Sequence, residues 1–338
     1  RLVRYDFSSN VVPHGLDSRL KNYLLESIDA VQHYPEPDAG RLKQTIAAYH
    51  GLGSDNVLVT NGSTEAFYLL AQLFSGYRST VIIPSFAEYE DACCAYGHIV
   101  SFQNNRHLSA HTPFTADVVW IGNPNNPDGL VVAPHIIEQW CRRYPHTIFI
   151  VDEAYADLCF SFRSVVRLVN SFPNLIVVRS LTKTFAIPGI RLGYIVADEM
   201  LLKQVLRIPW QVNSLAAEVG IAIMKNYDDH LPDIAHILSN TRKLQNDISS
   251  IGGYDVVPSN CNFFAVKMQT GKASELKQYL LETEGILIRD ASNFRGLDET
   301  WFRVAIQSAE ANELLRNALG KYLVLTEKKN SLNCFLQK

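Results

Sequence analysis

A lysine and an arginine stand eight positions apart in the segment Arg179-Ser-Leu-Thr-Lys183-Thr-Phe-Ala-Ile-Pro-Gly189-Ile-Arg191-Leu-Gly-Tyr194. The amine of Lys183 suits covalent chemistry with a carbonyl, and the guanidinium of Arg191 suits an anion clamp. Upstream, Asp152-Glu-Ala-Tyr155 follows the apolar run Ile148-Phe-Ile-Val151 directly. A carboxylate at the end of a buried strand calls for a cationic partner. Asn61-Gly62-Ser63-Thr64-Glu65 follows a similar run, Val57 to Thr60, and opens a helical pattern. Gly62 lets the backbone come close to a ligand, first-turn amides point outward unpaired, and Ser63 and Thr64 add donors. Such a turn fits a phosphate, and the same residues also make a plain helix N-cap. Asn123-Pro-Asn-Asn126-Pro127-Asp128-Gly129 reads as a rigid turn able to present an amide side chain.

These groups need a frame that brings them together. Strand-like runs recur at Val57 to Thr60, Val81 to Ile83, Val118 to Ile121, Ile148 to Val151, Ile176 to Val178 and Tyr194 to Val196. They alternate with helical patterns such as Glu65 to Phe74 and Pro134 to Tyr144, which predicts a mainly parallel α/β sheet wrapped by helices. Ligands of such sheets bind at the carboxyl ends of the strands, where Ser180, Thr182 and Lys183 fall after Ile176 to Val178. The rhythm changes after the helical stretch His230 to Ile251. Strands at Cys261 to Met268, Ile286 to Ile288 and Phe302 to Ile306, with helices at Glu275 to Glu284 and Glu310 to Leu325, form a smaller α+β unit. The expected division is residues 37–224 as the large domain, 1–36 and 225–325 as the small domain with an N-terminal arm, and 326–338 as a frayed tail.

The chain has 338 residues, 47% hydrophobic, and a formal net charge of −3, enough apolar content for a large core and no basic field for nucleic acid. No apolar run approaches the ~20 residues of a membrane helix. Six cysteines without a C-x-x-C pair point to a reduced, cytoplasmic setting. His107 and His111 have the i,i+4 spacing of zinc ligands, but Pro113 and polar neighbours put them on a loop and no metal site is expected. Gly271-Lys272 lacks the upstream glycine of a P-loop.

Phosphate donors, an Asn, an Asp, a Tyr, a Lys and an Arg, all on loops at strand ends, describe a ligand with a phosphate, a basic aromatic nitrogen, a phenolate-like oxygen and an aldehyde. Pyridoxal 5′-phosphate has all four. From Asp6-Phe-Ser-Ser-Asn10 to Arg303-Val-Ala-Ile306 the chain resembles fold-type I pyridoxal-phosphate enzymes of the histidinol-phosphate aminotransferase group. Phe7-Ser-Ser-Asn10, Phe86-Ala-Glu-Tyr89, Arg179-Ser-Leu-Thr-Lys183, Ala186-Ile-Pro-Gly189, Ile208-Pro-Trp210-Gln-Val-Asn213 and Ile286-Leu-Ile-Arg289 through Gly296-Leu-Asp298 are more similar to its threonine-phosphate decarboxylases.

The resemblance implies a fold-type I architecture, in which a mainly parallel seven-stranded sheet flanked by helices is joined to a smaller α+β domain. It implies Lys183 as covalent anchor and proton carrier, Asp152 as partner of the pyridine nitrogen, and Asn126 and Tyr155 as donors to the ring's 3′-oxygen. Tyr89 would stack on the ring face, and Gly62, Ser63, Thr64, Ser180 and Arg191 would hold the phosphate. Tyr34, in His33-Tyr-Pro35, matches a tyrosine that reaches the neighbouring subunit's phosphate, which implies a homodimer. Arg303, Arg289 and Asn10 match residues that grip a phosphorylated amino acid or amino alcohol. Two departures stand out: Pro127-Asp128-Gly129 in place of Pro-Thr-Gly, and Asn10-Val-Val-Pro13 in place of Asn-Ile-Asn-Pro. The implied activity is decarboxylation of O-phospho-L-threonine on the path to the cobalamin side chain, or transamination of histidinol phosphate or another amino acid with 2-oxoglutarate. A non-catalytic sensor fits poorly, because the chain has no basic DNA-binding segment.

Overall fold

The computed structural model describes residues 2–160 and 162–336. Its strands are β1 (Tyr5–Asp6), β2 (Val57–Thr60), β3 (Arg78–Ile83), β4 (Ile99–Asn104), β5 (Val118–Gly122), β6 (Ile148–Asp152), β7 (Leu175–Ser180), β8 (Gly193–Val196), β9 (Tyr254–Val256), β10 (Phe263–Met268), β11 (Ile286–Leu287), β12 (Arg289–Asp290) and β13 (Trp301–Ala305). Seven of them make one sheet in the order β2-β8-β7-β6-β5-β3-β4. The pairs from β7 across to β4 are parallel, and β8 runs antiparallel to both β2 and β7.

Helices cover both faces of this sheet, so its central strands are apolar throughout and split their side chains by alternation. Val119, Ile121, Phe149, Val151, Leu175 and Val177 join one core layer, packed with residues of helices Gly40–His50, Pro134–Arg143 and Ser214–Lys225. Val118, Trp120, Ile150, Ile176 and Val178 join the opposite layer, with residues of helices Ser63–Leu73 and Glu88–Ala95. Edge strand β4 leaves Ile99, Ser101 and Phe102 exposed, which is why no continuous apolar run marks it.

The other strands form a four-stranded antiparallel sheet, β12-β13-β10-β9, and a parallel pair, β1-β11. The expected strand Ile286 to Ile288 is β11 (Ile286–Leu287), and β12 follows it directly in the other sheet. Helices Ile234–Ser249, Ala273–Glu284 and Ala309–Leu336 supply the apolar partners of this region. The last of these corrects the expected tail. The helix continues from Leu325 to Leu336, because Glu327, Lys328, Lys329 and Leu332 are good helix formers and neither proline nor glycine interrupts the segment. Among the described residues, no helix is long and apolar enough to cross a membrane.

Candidate active site

The carboxyl ends of β2, β5, β6 and β7 open on one edge of the large sheet, and antiparallel β8 starts there. The Lys183 to Arg191 segment leaves through β7 and re-enters through β8, so both side chains remain at that edge. They line a cavity of about 430 Å³ together with Asn10, Ser63, Thr64, Tyr89, Asn126, Asp152, Tyr155, Arg289 and Arg303. Eleven side chains proposed from the sequence therefore share one space. Gly62 and Ser180 lie just behind its wall, and Tyr34 lies elsewhere, 89% exposed and tilted against Trp210 at 6.0 Å.

One end of the cavity has the physical form of a phosphate cradle. Gly62 takes φ +81° before helix Ser63–Leu73, and no side chain caps the first-turn amides. A Cβ on Gly62 would stand 2.5 Å from Arg191 Nη2, so glycine is what lets the guanidinium lie against the turn. Arg191 itself has φ +61°, a left-handed conformation that costs a non-glycine residue about 1 kcal/mol or more and is typical of strained functional positions. Ser180 Oγ is hydrogen-bonded to Thr182 Oγ1 at 2.9 Å, and Thr182 is the one that reaches the cavity. At Gly193 a Cβ would come within 2.7 Å of the Ser63 amide nitrogen, which shows how tightly β8 packs under the helix start.

Lys183 is half-buried, and burial lowers its pKa, helped by the positive charges of Arg191 and Arg303. Its amine is therefore deprotonated, and nucleophilic, at lower pH than an ordinary lysine. The main chain of Lys183 is held by the N-terminal arm, with Val12 N donating to its carbonyl at 3.2 Å. Beneath it lies a buried charge network. Arg179 donates to Glu153 at 3.2 Å and to Asp157 at 3.0 Å, and Asp157 also accepts from Tyr227 at 2.7 Å and from Thr184, the residue after Lys183, at 3.3 Å.

Asp152 ends β6 fully buried. Oδ1 accepts from Ala154 N at 2.9 Å and Oδ2 from the Tyr89 hydroxyl at 2.6 Å. Burial raises the carboxyl to about 6, against the pull of those hydrogen bonds. The family resemblance implied that Tyr89 stacks on the ring face; in the structure it is 2% exposed with its hydroxyl committed to Asp152. Phe86, three residues earlier and half-buried, presents its ring to the cavity. The aromatic residue at the start of Phe86-Ala-Glu-Tyr89 was the available signal.

Tyr155 OH receives Asn10 Nδ2 at 3.2 Å, and Asn126 Oδ1 receives Arg303 Nη1 at 2.6 Å, which turns the Asn126 amide nitrogen away from the arginine. Arg303 also donates to the Ser8 carbonyl, and burial lowers its pKa to about 10, so it remains charged at neutral pH. Arg289 donates to Asn293 Oδ1 at 2.9 Å, and Asn293 and Phe294 complete this wall. Buried Asn10 Oδ1 and Arg303 Nε have no hydrogen-bond partner. Unsatisfied groups of this kind mark where a polar ligand fits. The departures from the family pattern are accommodated: Asp128 accepts from Asn105, Asn125 and Leu130 N and braces the turn bearing Asn126, and Val12 is buried. Among the described residues no group of three His, Cys, Asp or Glu is placed to hold a metal ion.

The chain that carries this buried carboxylate and this lysine of lowered pKa has clear relatives. Residues 4–321 match the model of the family described as aminotransferase class I and II. A histidinol-phosphate aminotransferase of Thermoanaerobacter sp. (strain X514) is 32% identical, over 95% of this chain and 93% of the relative. A threonine-phosphate decarboxylase of Salmonella typhimurium is 30% identical, over 94% and 91%. The crystal structure of L-threonine-O-3-phosphate decarboxylase from Porphyromonas gingivalis superposes with a TM-score of 0.92 at 38% identity, covering 94% of this chain and 99% of that one. The chain belongs to the aminotransferase class I and II family and is a pyridoxal 5′-phosphate enzyme of fold type I.

Proposed function

We propose that the chain is a carboxy-lyase that converts O-phospho-L-threonine to (R)-1-aminopropan-2-ol phosphate and CO₂, a step toward the cobalamin side chain. The observation that carries this reading is the pair of arginines, Arg289 and Arg303, lining the same cavity as Lys183. O-phosphothreonine presents a carboxylate and a phosphate at once and so fits the pair, as does the dicarboxylate 2-oxoglutarate of the alternative reaction, while histidinol phosphate has one anionic group. The 38% identity to the Porphyromonas decarboxylase supports the same choice.

When bound, pyridoxal phosphate supplies an electron-accepting ring conjugated with the substrate's Cα. The amides of Gly62, Ser63 and Thr64, with Arg191, would hold its phosphate. Asp152 would keep a proton on the pyridine nitrogen, and Asn126 and Tyr155 would hydrogen-bond the 3′-oxygen. Lys183 would anchor the cofactor, be released when the substrate amine arrives, and then deliver a proton from Nζ to the carbon that has lost CO₂. Arg303, Arg289 and Asn10 would grip the substrate's anionic groups and so set its orientation, the choice between losing carboxylate and losing hydrogen. Phe86 would cover the ring face that Tyr89 does not. Tyr34 has no route to this cavity within one chain, and its exposure fits a homodimer in which it completes the partner's phosphate site.

The decisive measurement is CO₂ release from O-phosphothreonine by protein supplied with the cofactor. Absence of CO₂, with transamination between histidinol phosphate and 2-oxoglutarate, would overturn the assignment in favour of the aminotransferase.

A further inference from the structure

We infer that Tyr89 is a positioning residue for Asp152: its hydroxyl keeps that carboxylate ionised and directed into the cavity, so that the cofactor's ring nitrogen meets an anion. The inference rests on the reading that Asp152 faces the ring nitrogen.

The phenol is held for this one contact. Its ring stands edge-on to Phe67 at 5.0 Å and 87°, edge-on to Phe86 at 6.0 Å and 84°, and nearly parallel to Trp120 at 6.3 Å. Gly122 leaves room for the hydroxyl, since a Cβ there would come within 3.3 Å of it. Inside that apolar cage the hydroxyl reaches Asp152 Oδ2 at 2.6 Å, a short, charge-assisted hydrogen bond. The other ionisable groups acting on the carboxylate are Glu153, which repels charge, and Arg179 from β7, which favours it. Tyr155 also faces it across the cavity, its own phenol pushed up by burial. Neither charged neighbour donates to Asp152, so the phenol is the side-chain donor that opposes the penalty of burial.

The test is made first on cofactor-free protein. Aspartate carboxyl groups are labelled with carbon-13, and the Asp152 resonance is identified by its loss in Asp152→Asn. Its midpoint, about 6 in the wild type, is expected to rise by about one pH unit or more in Tyr89→Phe, a tenfold change in proton affinity. Wild-type protein grown with 3-fluorotyrosine, whose phenol is the stronger donor, should move the midpoint down; this arm decides the matter should Tyr89→Phe not fold. With nitrogen-15-labelled cofactor bound, the ring-nitrogen resonance of Tyr89→Phe should shift toward its unprotonated position, and kcat should fall with KM unchanged. A midpoint or ring-nitrogen shift identical to wild type overturns the inference. Failure of the wild type to take up pyridoxal phosphate would instead defeat the proposed function, and would leave the carbon-13 result standing by itself.

Discussion

Asparagine at position 152 should make the cofactor-free protein more stable while disabling it. Burial raises the Asp152 carboxyl from 3.8 to about 6, so between those values the folded state binds more protons than the unfolded state. Stability associated with this group is full below pH 3.8 and is lost as pH rises through about 6. At pH 8 the cost of keeping the anion buried is about 3 kcal/mol, since each tenfold rise in proton affinity is worth about 1.36 kcal/mol. At pH 5 it is about half of that. Asp152→Asn removes the charge and keeps the shape: the amide oxygen can accept from Ala154 N and the amide nitrogen can donate to the Tyr89 oxygen. Urea unfolding of wild-type and variant apo-protein, followed by intrinsic fluorescence at both pH values, reads the difference. The variant's midpoint should be higher, by more at pH 8 than at pH 5, with turnover abolished once cofactor is added. A variant less stable than wild type at pH 8, or a gap that widens toward pH 5, would refute the reasoning.

Lys183→Ala should yield protein that binds cofactor without the yellow colour of the wild type, with kcat lowered by at least about a hundredfold, as read by absorbance and CO₂ release. Arg303→Gln removes a charge-assisted contact to the substrate anion worth about 1.5 to 3 kcal/mol, so KM should rise roughly tenfold to a hundredfold in steady-state assays. Arg179→Met leaves buried Glu153 and half-buried Asp157 without their cation, at a cost of about 3 to 5 kcal/mol. A fall in Tm of roughly 4 to 7 °C in calorimetry, or insoluble expression, is the expected result.

The parts of this molecule that can be read from its sequence are those where one physical demand dominates. Strands β5, β6 and β7 are covered on both faces and appear as uninterrupted apolar runs, and the polar residues that end them, Asp152 and Ser180, mark the edge where the cavity forms. Strand β4 meets solvent and alternates polar with apolar residues too irregularly to stand out. Lys183, Arg191 and the Gly62 turn are local motifs, legible one at a time. The Tyr89 to Asp152 hydrogen bond joins residues 63 positions apart, and nothing in the spacing of either predicts it. The same holds for Arg303 on Asn126, 177 positions away. Glu327 to Leu336 is polar and lacks an apolar period, yet its helix formers carry the helix on, because helical propensity does not require an apolar stripe.

Tyr5 and Asp6 pair with Ile286 and Leu287, and Phe7 lies between Leu287 and Ala305 through backbone hydrogen bonds. The cavity wall made by Ser8, Ser9 and Asn10 is the direct continuation of that segment. The backbone partners of Tyr5, Asp6 and Phe7 come later in the chain than Lys183, so the seven-stranded sheet can assemble around Lys183 before this part of the wall is anchored. Until that anchoring is made, the sheet presents a reactive lysine beside a cavity with one wall unfixed.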